Sequence, residues 1–314
     1  MKVKIIIKQV IIWLVVIVVA VLGYFVFTVS KNLSMINSNS SQTVPLDLTK
    51  NVNILLLGSD QRSPNAGARS DTIILVNINA KTKKINLMSI PRDSRVDIPG
   101  HGFDKINAAF NSDYFNDGGV NLSIKTVESI LGLPQESIPF YAVVNFQGFE
   151  KVIDALGGVT IDVKEPMHYH SWTGDVKIDL NPGVQHLNGE KALEYARFRY
   201  DLYGDFAVDG SGNVIGRVQR QDDLIKALVE QTKNLRTIWK FPAVSQAIGE
   251  AVKTNLTVGQ ITRLALLLKN TTEKDINIVN FPGKPEYINS ISYVVPDFTK
   301  LTELGKTYFS IFSN

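Results

Sequence analysis

The sequence predicts an α/β protein: an α/β/α sandwich around one mixed central sheet, preceded by a single N-terminal transmembrane helix. Three observations predict it. Apolar runs of strand length alternate with amphipathic stretches of helix length, the pattern of a sheet covered on both faces. Residues 10–29 are apolar apart from Thr28, and as a helix they span about 30 Å, the thickness of a bilayer core. No Pro- or Gly-rich linker divides residues 46–314, so that stretch reads as one domain.

Taken in order, residues 1–9 form a cytoplasmic tail and 10–29 the anchor. Lys2, Lys4 and Lys8 precede the anchor and only Lys31 follows it closely, which orients the N-terminus inward. The run is longer than the apolar region of a cleaved signal peptide, so a retained anchor is expected. Residues 30–45 are Ser/Asn-rich and read as a flexible tether with a reach of roughly 20–24 Å. The domain at 46–314 is then expected outside the cell, at the membrane surface. Residues 52–57 read as a buried strand running into Gly58-Ser59-Asp60, and 72–78 and 85–90 as two more strands joined by a Lys-Thr-Lys-Lys turn. A helix over 122–131 stops at Gly132 and Pro134. A strand at 141–144, a helix at 146–156 ended by Gly157-Gly158, and a strand at 159–163 follow. Helices are expected at 189–195 and 217–234. Thr257 and Gln260 make a capping box before a helix at 261–268, a strand covers 276–280, and a terminal helix covers 298–312.

Charge placement says more than total charge. The chain carries 33 Lys and Arg against 30 Asp and Glu, a net of +3, and the first 45 residues hold four lysines and no acid. The remainder is close to neutral, which argues against a basic nucleic-acid-binding face. Hydrophobic content of 44% excludes a disordered chain. There is no cysteine, so disulfides, thiolate metal sites and Cys nucleophiles are excluded. No G-x-S-x-G elbow or Walker A sequence occurs either. His168 and His170 stand one residue apart, and with only four histidines in the chain they read as a surface pair rather than as metal ligands.

The arginines are grouped. Arg62, Arg69, Arg92 and Arg95 fall in one region and Arg197, Arg199, Arg217 and Arg220 in another. A solvated surface has no need of Arg over Lys, whereas the guanidinium fork matches phosphate oxygens. The first group follows apolar strands, where α/β sheets place ligands. In the second, Arg217, Arg220 and Gln221 share one face near a helix N-terminus. Asp60, Asp71 and Asp93 are interleaved with these arginines. Two readings stand open for them: converging carboxylates that hold Mg²⁺ beside phosphates, or partners in ordinary salt bridges.

Eight motifs in order closely resemble the LytR-CpsA-Psr family of cell-wall enzymes. They are residues 53–60, Arg69-Ser70-Asp71-Thr72, Ser89-Ile90-Pro91-Arg92-Asp93, Lys105-Ile106-Asn107, Leu156-Gly157-Gly158-Val159, residues 187–193, Ala196-Arg197-Phe198-Arg199 and residues 216–221. The resemblance implies a transferase that attaches an anionic glycopolymer, of wall teichoic acid or capsular type, to peptidoglycan from a polyprenyl-pyrophosphate carrier. It implies Asp60 and Asp71 as ligands of Mg²⁺, with Mn²⁺ as the alternative. It places Arg69, Arg92, Lys105, Arg197, Arg199, Arg217 and Gln221 around the pyrophosphate, with Arg92 and Arg217 acting on the reacting phosphate. A polyprenyl tail would enter a groove between the sheet and its helices. The sequence departs from the family once: residues 207–215 separate Gly204-Asp205-Phe206 from Gly216-Arg217. Asp205 is the natural group to help deprotonate the acceptor, and Asp209, in a Asp-Gly hairpin turn, is the substitute. A polyprenyl-pyrophosphate phosphatase and a non-enzymatic envelope regulator are the rival readings.

Overall fold

Strands β1 (Val52–Ser59), β2 (Ser70–Ile78) and β3 (Ile85–Ser89) form an antiparallel meander and carry the apolar runs legible in the sequence. The computed structural model describes residues 44–59, 69–171, 177–198, 216–232, 246–247, 249 and 251–311. The expected tail and anchor, and all but the end of the tether, lie outside them. Among the described residues no helix is long and apolar enough to cross a membrane.

After β3 the chain makes a small hairpin, β4 (Arg95–Ile98) and β5 (Gly102–Lys105), then a 3-10 turn at Ile106–Phe110 and helix α1 (Val120–Ile130). Strand β6 (Phe140–Asn145) joins β1 in parallel and runs into α2 (Phe146–Leu156). The Asn145 side chain caps α2 by accepting from Gly148 N–H at 2.7 Å. Gly157 ends α2 at φ 89°, in the left-handed region that glycine adopts without cost. Four short strands follow: β7 (Val159–Val163), β8 (Met167–His170), β9 (Lys177–Leu180) and β10 (Gly183–Leu187), paired β7 with β10 and β8 with β9. Helices α3 (Gly189–Arg197) and α4 (Arg217–Thr232) pack on them. Then come β11 (Val252–Thr254), α5 (Val258–Leu268), β12 (Ile276–Ile278), the hairpin β13 (Gly283–Ile288) and β14 (Ile291–Pro296), and α6 (Phe298–Leu304). The capping box read from Thr257 and Gln260 is formed at the start of α5.

The central sheet has the order β11-β6-β1-β2-β3-β12 and is mixed. Its two faces bury two apolar sets. Leu55, Leu57, Ile73, Leu75 and Met88 point to one side, against α1, α6 and the 3-10 turn. Val52, Ile54, Ile74, Val76 and Leu87 point to the other, against Leu264 of α5. A fully buried Leu or Ile side chain contributes ~1.5–3 kcal/mol, so these two layers fix the sandwich. A third cluster, around Ile153, Val159, Ile178, Tyr195 and Leu224, holds β7–β10 to α2, α3 and α4.

One polar row crosses the first apolar face. Asn53, Asn77, Asn86 and Asn277 stand in register on β1, β2, β3 and β12. The amide of Asn77 donates to Asn53 at 2.7 Å, that of Asn86 to Asn77 at 3.2 Å, and that of Asn277 to Asn86 at 2.9 Å. Asn53 in turn donates to the carbonyls of Ser137 at 2.9 Å and Phe309 at 2.6 Å. This row explains a departure from the expected terminal helix at 298–312. The α-helix stops at Leu304 and a π-helical turn covers Gly305–Phe309, because asparagine amides draw the carbonyls of Phe309 and, through Asn51, of Ser310 onto the sheet. Gly305 permits it: a Cβ there would lie 2.1 Å from the Leu131 carbonyl.

Asn53→Ala removes the donor from two buried carbonyls and the acceptor from Asn77, and is expected to cost about 2–4 kcal/mol. Asn277→Ala, at the exposed end of the row, is expected to cost no more than about 0.5 kcal/mol. Urea unfolding of the two variants measures this, and equal losses would contradict the row as a buried network.

Candidate active site

Strand direction gathers the site. Strands β1, β3 and β6 end at the edge of the sheet where β2 begins, since Ser59 pairs with Ser70, Ile74 with Ser89, and Ser59 with Asn145. Gly58 makes the edge tight: a Cβ on it would come within 2.9 Å of Thr72 Cβ. A register irregularity between Gly58 and Ser59 follows at once and turns the end of β1.

Arg92 stands in the Pro-Arg-Asp turn just past β3. Its guanidinium donates to Asp71 Oδ1 at the start of β2, and its Nε lies 3.4 Å from Asp93 Oδ2. Lys105, at the end of β5, reaches back to Asp93 Oδ1 at 2.8 Å. These four charged groups are 17–26% exposed at the side chain: sheltered, yet open to a ligand. The backbone braces them, with Ile106 N–H donating to the Ser94 carbonyl at 2.8 Å and Asn107 N–H to that of Arg92 at 3.3 Å. Val294 N–H of β14 donates to the Asp93 carbonyl at 2.9 Å, and Tyr293 brings its ring to 5.6 Å from Lys105 Nζ.

The second arginine group meets this edge in part. Arg197, in the last turn of α3, lies 4.6 Å over the ring of Phe146, the residue that follows β6. Arg69 precedes Ser70 and is exposed. Gln221 on α4 donates to Thr72 Oγ1 at 3.0 Å, tying α4 to the start of β2. Arg217 opens α4, and only its backbone is described. Asp60, Arg199, Asp205 and Asp209 lie outside the described residues. Arg220, on the helical face it shares with Gln221, is buried, donates to the Phe198 carbonyl and lies 5.3 Å from that ring. A guanidinium there holds α4 to the end of α3.

Asp71 is ion-paired with Arg92. Among the described residues no group of three or more His, Cys, Asp or Glu side chains could hold a metal ion. Asp71 suits a hard cation by its oxygen donors, as one ligand of a set whose other named member is Asp60. His168 sits on the exposed β8–β9 hairpin, 2.8 Å from Asp179 Oδ1. Of the aromatics around β6 and α2, Phe140 is core, and Phe149 packs against the cluster under α2–α4.

One residue beside the site was not marked in the sequence. Asp222 on α4 is 2% exposed and accepts from Ser89 Oγ, at the end of β3, at 2.6 Å. Burial pushes its carboxyl up to about 6, with the Asp223 charge adding to the rise, while the Ser89 hydroxyl and Lys226 work against it. The signal lay in the pair Ser89 and Asp222, which 132 intervening residues separate. Because the folded form holds this proton more tightly than the unfolded chain, stability is greatest below about pH 4 for this group. It falls as pH rises from about 4 to about 6, by about 2–3 kcal/mol at most. Asp222→Asn is therefore expected to raise the melting temperature at pH 7 and to leave it unchanged near pH 4. A loss of stability at pH 7 would contradict this.

A model of the LytR_cpsA_psr family matches residues 23–309. The chain is 37% identical over 238 residues to the regulatory protein MsrR of Staphylococcus aureus (strain COL), covering 75% of this chain and 66% of that protein. It is 33% identical over 284 residues to the polyisoprenyl-teichoic acid–peptidoglycan teichoic acid transferase TagV of Bacillus subtilis (strain 168), covering 88% and 68%. The chain thus spans about two thirds of the length of these relatives. The crystal structure of B. subtilis TagV superposes with a TM-score of 0.68 at 33% identity, over 82% of this chain and 96% of that one. TagT with bound octaprenyl pyrophosphate lipid superposes at 0.59 and 28% identity, over 86% and 94%. With its mixed sheet and its Arg92-centred edge in place, the chain belongs to the LytR_cpsA_psr family.

Proposed function

We propose that this protein is a membrane-anchored phosphotransferase. It moves an anionic glycopolymer from a polyprenyl-pyrophosphate carrier to peptidoglycan, outside the cell, with residues 10–29 as its anchor. The observation that carries the reading is the ion-paired Arg92 at the sheet edge, with Lys105 and Arg197 on the elements around it. Relatives named as teichoic acid transferases and a relative with bound octaprenyl pyrophosphate support the substrate class.

In this reading Arg69, Arg92, Lys105, Arg197, Arg199, Arg217 and Gln221 surround the pyrophosphate, and Asp60 and Asp71 would hold Mg²⁺. The ion, when bound, neutralises charge on the phosphates. Arg92 is oriented before substrate arrives, because Asp71 and Asp93 grip it from two sides. Its fork is therefore placed for the charge that builds on the phosphoryl oxygens. A sugar hydroxyl attacks the phosphorus nearer the glycopolymer, and its proton passes to Asp205 or Asp209. The bond from that phosphorus to the bridging oxygen breaks, polyprenyl monophosphate leaves, and a phosphodiester joins the two polymers.

The test is coupling by the full chain of a lipid-pyrophosphate-linked glycan to peptidoglycan oligomers with Mg²⁺ present. Arg92→Ala and Arg217→Ala are each expected to lower the rate by about 100-fold or more with the fold intact. Chelation of divalent ions is expected to stop coupling, and Mn²⁺ to restore it. Undiminished coupling in both variants would contradict the site. The name of MsrR favours a second reading, an envelope regulator without catalysis. Phosphodiester-linked product separates the two, and free polymer in its place marks a phosphatase.

A further inference from the structure

Beyond the ion-paired cluster, the β4–β5 hairpin shows solvent a face unlike the rest of the site. Arg95, Lys105, Asp97 and Phe103 share its outer side, because Arg95 pairs with Lys105 and Asp97 with Phe103, while Val96 and Ile98 fill the core beneath at 0% exposure. Phe103 is 57% exposed, held in place by the Arg95 guanidinium 4.5 Å from its ring. The loop at 111–118 adds Tyr114, 59% exposed and 4.7 Å from Phe115 between centroids. Phe115 stacks on His101 at 4.0 Å, and Asp117 Oδ1 fixes that histidine at 2.7 Å from Nε2. Aromatic rings held open to water by ordered neighbours are available to the apolar face of a ligand.

We propose that this surface docks the acceptor glycan and leads its reactive hydroxyl to Arg92. The inference rests on the transferase reading above. Three arguments select the occupant. Aromatic faces beside carboxylates suit a pyranose, whose C–H face packs on a ring while its hydroxyls donate to Asp97 or Asp113. The face carries Asp97, Asp113 and Asp117 against Arg95 and Lys105, with Lys105 paired to Asp93 and Asp117 held by His101. A face without an excess of cations gives no anchor to a phosphate-bearing polymer or an anionic lipid surface, and an acceptor without phosphates is the partner that fits. The surface is also continuous with the site: Phe103 lies two residues, ~7 Å, along the strand from Lys105.

The test uses the full chain and the variant Phe103→Ala/Tyr114→Ala, with Phe103→Trp as the ring-retaining control. Chitotetraose, an uncharged acetamido-sugar oligomer, is titrated in the absence of donor, and coupling kinetics are measured with peptidoglycan oligomers. The double variant is expected to bind chitotetraose about tenfold or more weakly and to raise the acceptor KM by a similar factor. Its kcat and its KM for the pyrophosphate-linked donor are expected to stay the same, and Phe103→Trp to retain binding. Unchanged oligosaccharide affinity and acceptor KM would overturn the proposal, as would a rise confined to the donor KM or a loss confined to binding of anionic vesicles. Should the wild type couple nothing, the transferase reading fails, and the chitotetraose titration still decides the surface by itself.

Discussion

The grip of Asp71 and Asp93 on Arg92 is the interaction on which the rest of the site depends. Asp71 starts β2, Arg92 and Asp93 follow β3, and Lys105 ends the β4–β5 hairpin, so one ionic chain links three segments at a single sheet edge. A guanidinium that had to be ordered by its ligand would lose side-chain entropy on binding; here folding has already met that cost. In the proposed function the same contact joins the carboxylate that would hold the metal ion to the cation that would bind the phosphate. Breaking it therefore disturbs the local structure of all three segments.

That edge is held by packing far from it. The asparagine row at the opposite end of β1 fixes register across four strands, and in an antiparallel pair a slip of one residue exchanges the two faces. Since Asn53 pairs with Asn77, Gly58 must face Thr72, and Thr72 is where Gln221 attaches α4. Buried amides that donate and accept in turn set register more strictly than apolar side chains, which tolerate sliding. The Ser89–Asp222 bond repeats the device close to the site, holding α4 to the end of β3.

Much of this was legible in the sequence. The apolar runs of β1 to β3, the stop at Gly157 and the capping box at Thr257 are local patterns, and each formed where it was read. Arg92, Asp71 and Lys105 stood out because their residue types and order carry chemistry. What escaped reading was non-local or short. The hairpins β4–β5, β8–β9 and β13–β14 have strands of four to six residues, too few for a periodic signal, and their partners are set by tertiary contacts. The four asparagines look like interruptions of apolar strands until register aligns them. Arg220 shares its helical face with Gln221, but periodicity gives a face and not its neighbour, and here the neighbour is the Phe198 carbonyl. Tyr293 lies 188 residues from Lys105, and nothing near it in sequence ties it to the site.

The central claim is that Arg92 binds pyrophosphate as a member of a preassembled pair with Asp71. A double-mutant cycle on Asp71→Asn and Arg92→Lys, read as the affinity of the full chain for polyprenyl pyrophosphate, tests it most directly. Each single change is expected to weaken binding about tenfold or more, and the double variant to be little worse than either, a coupling of ~1 kcal/mol or more. Strictly additive losses, or no loss at all in Asp71→Asn, would contradict it.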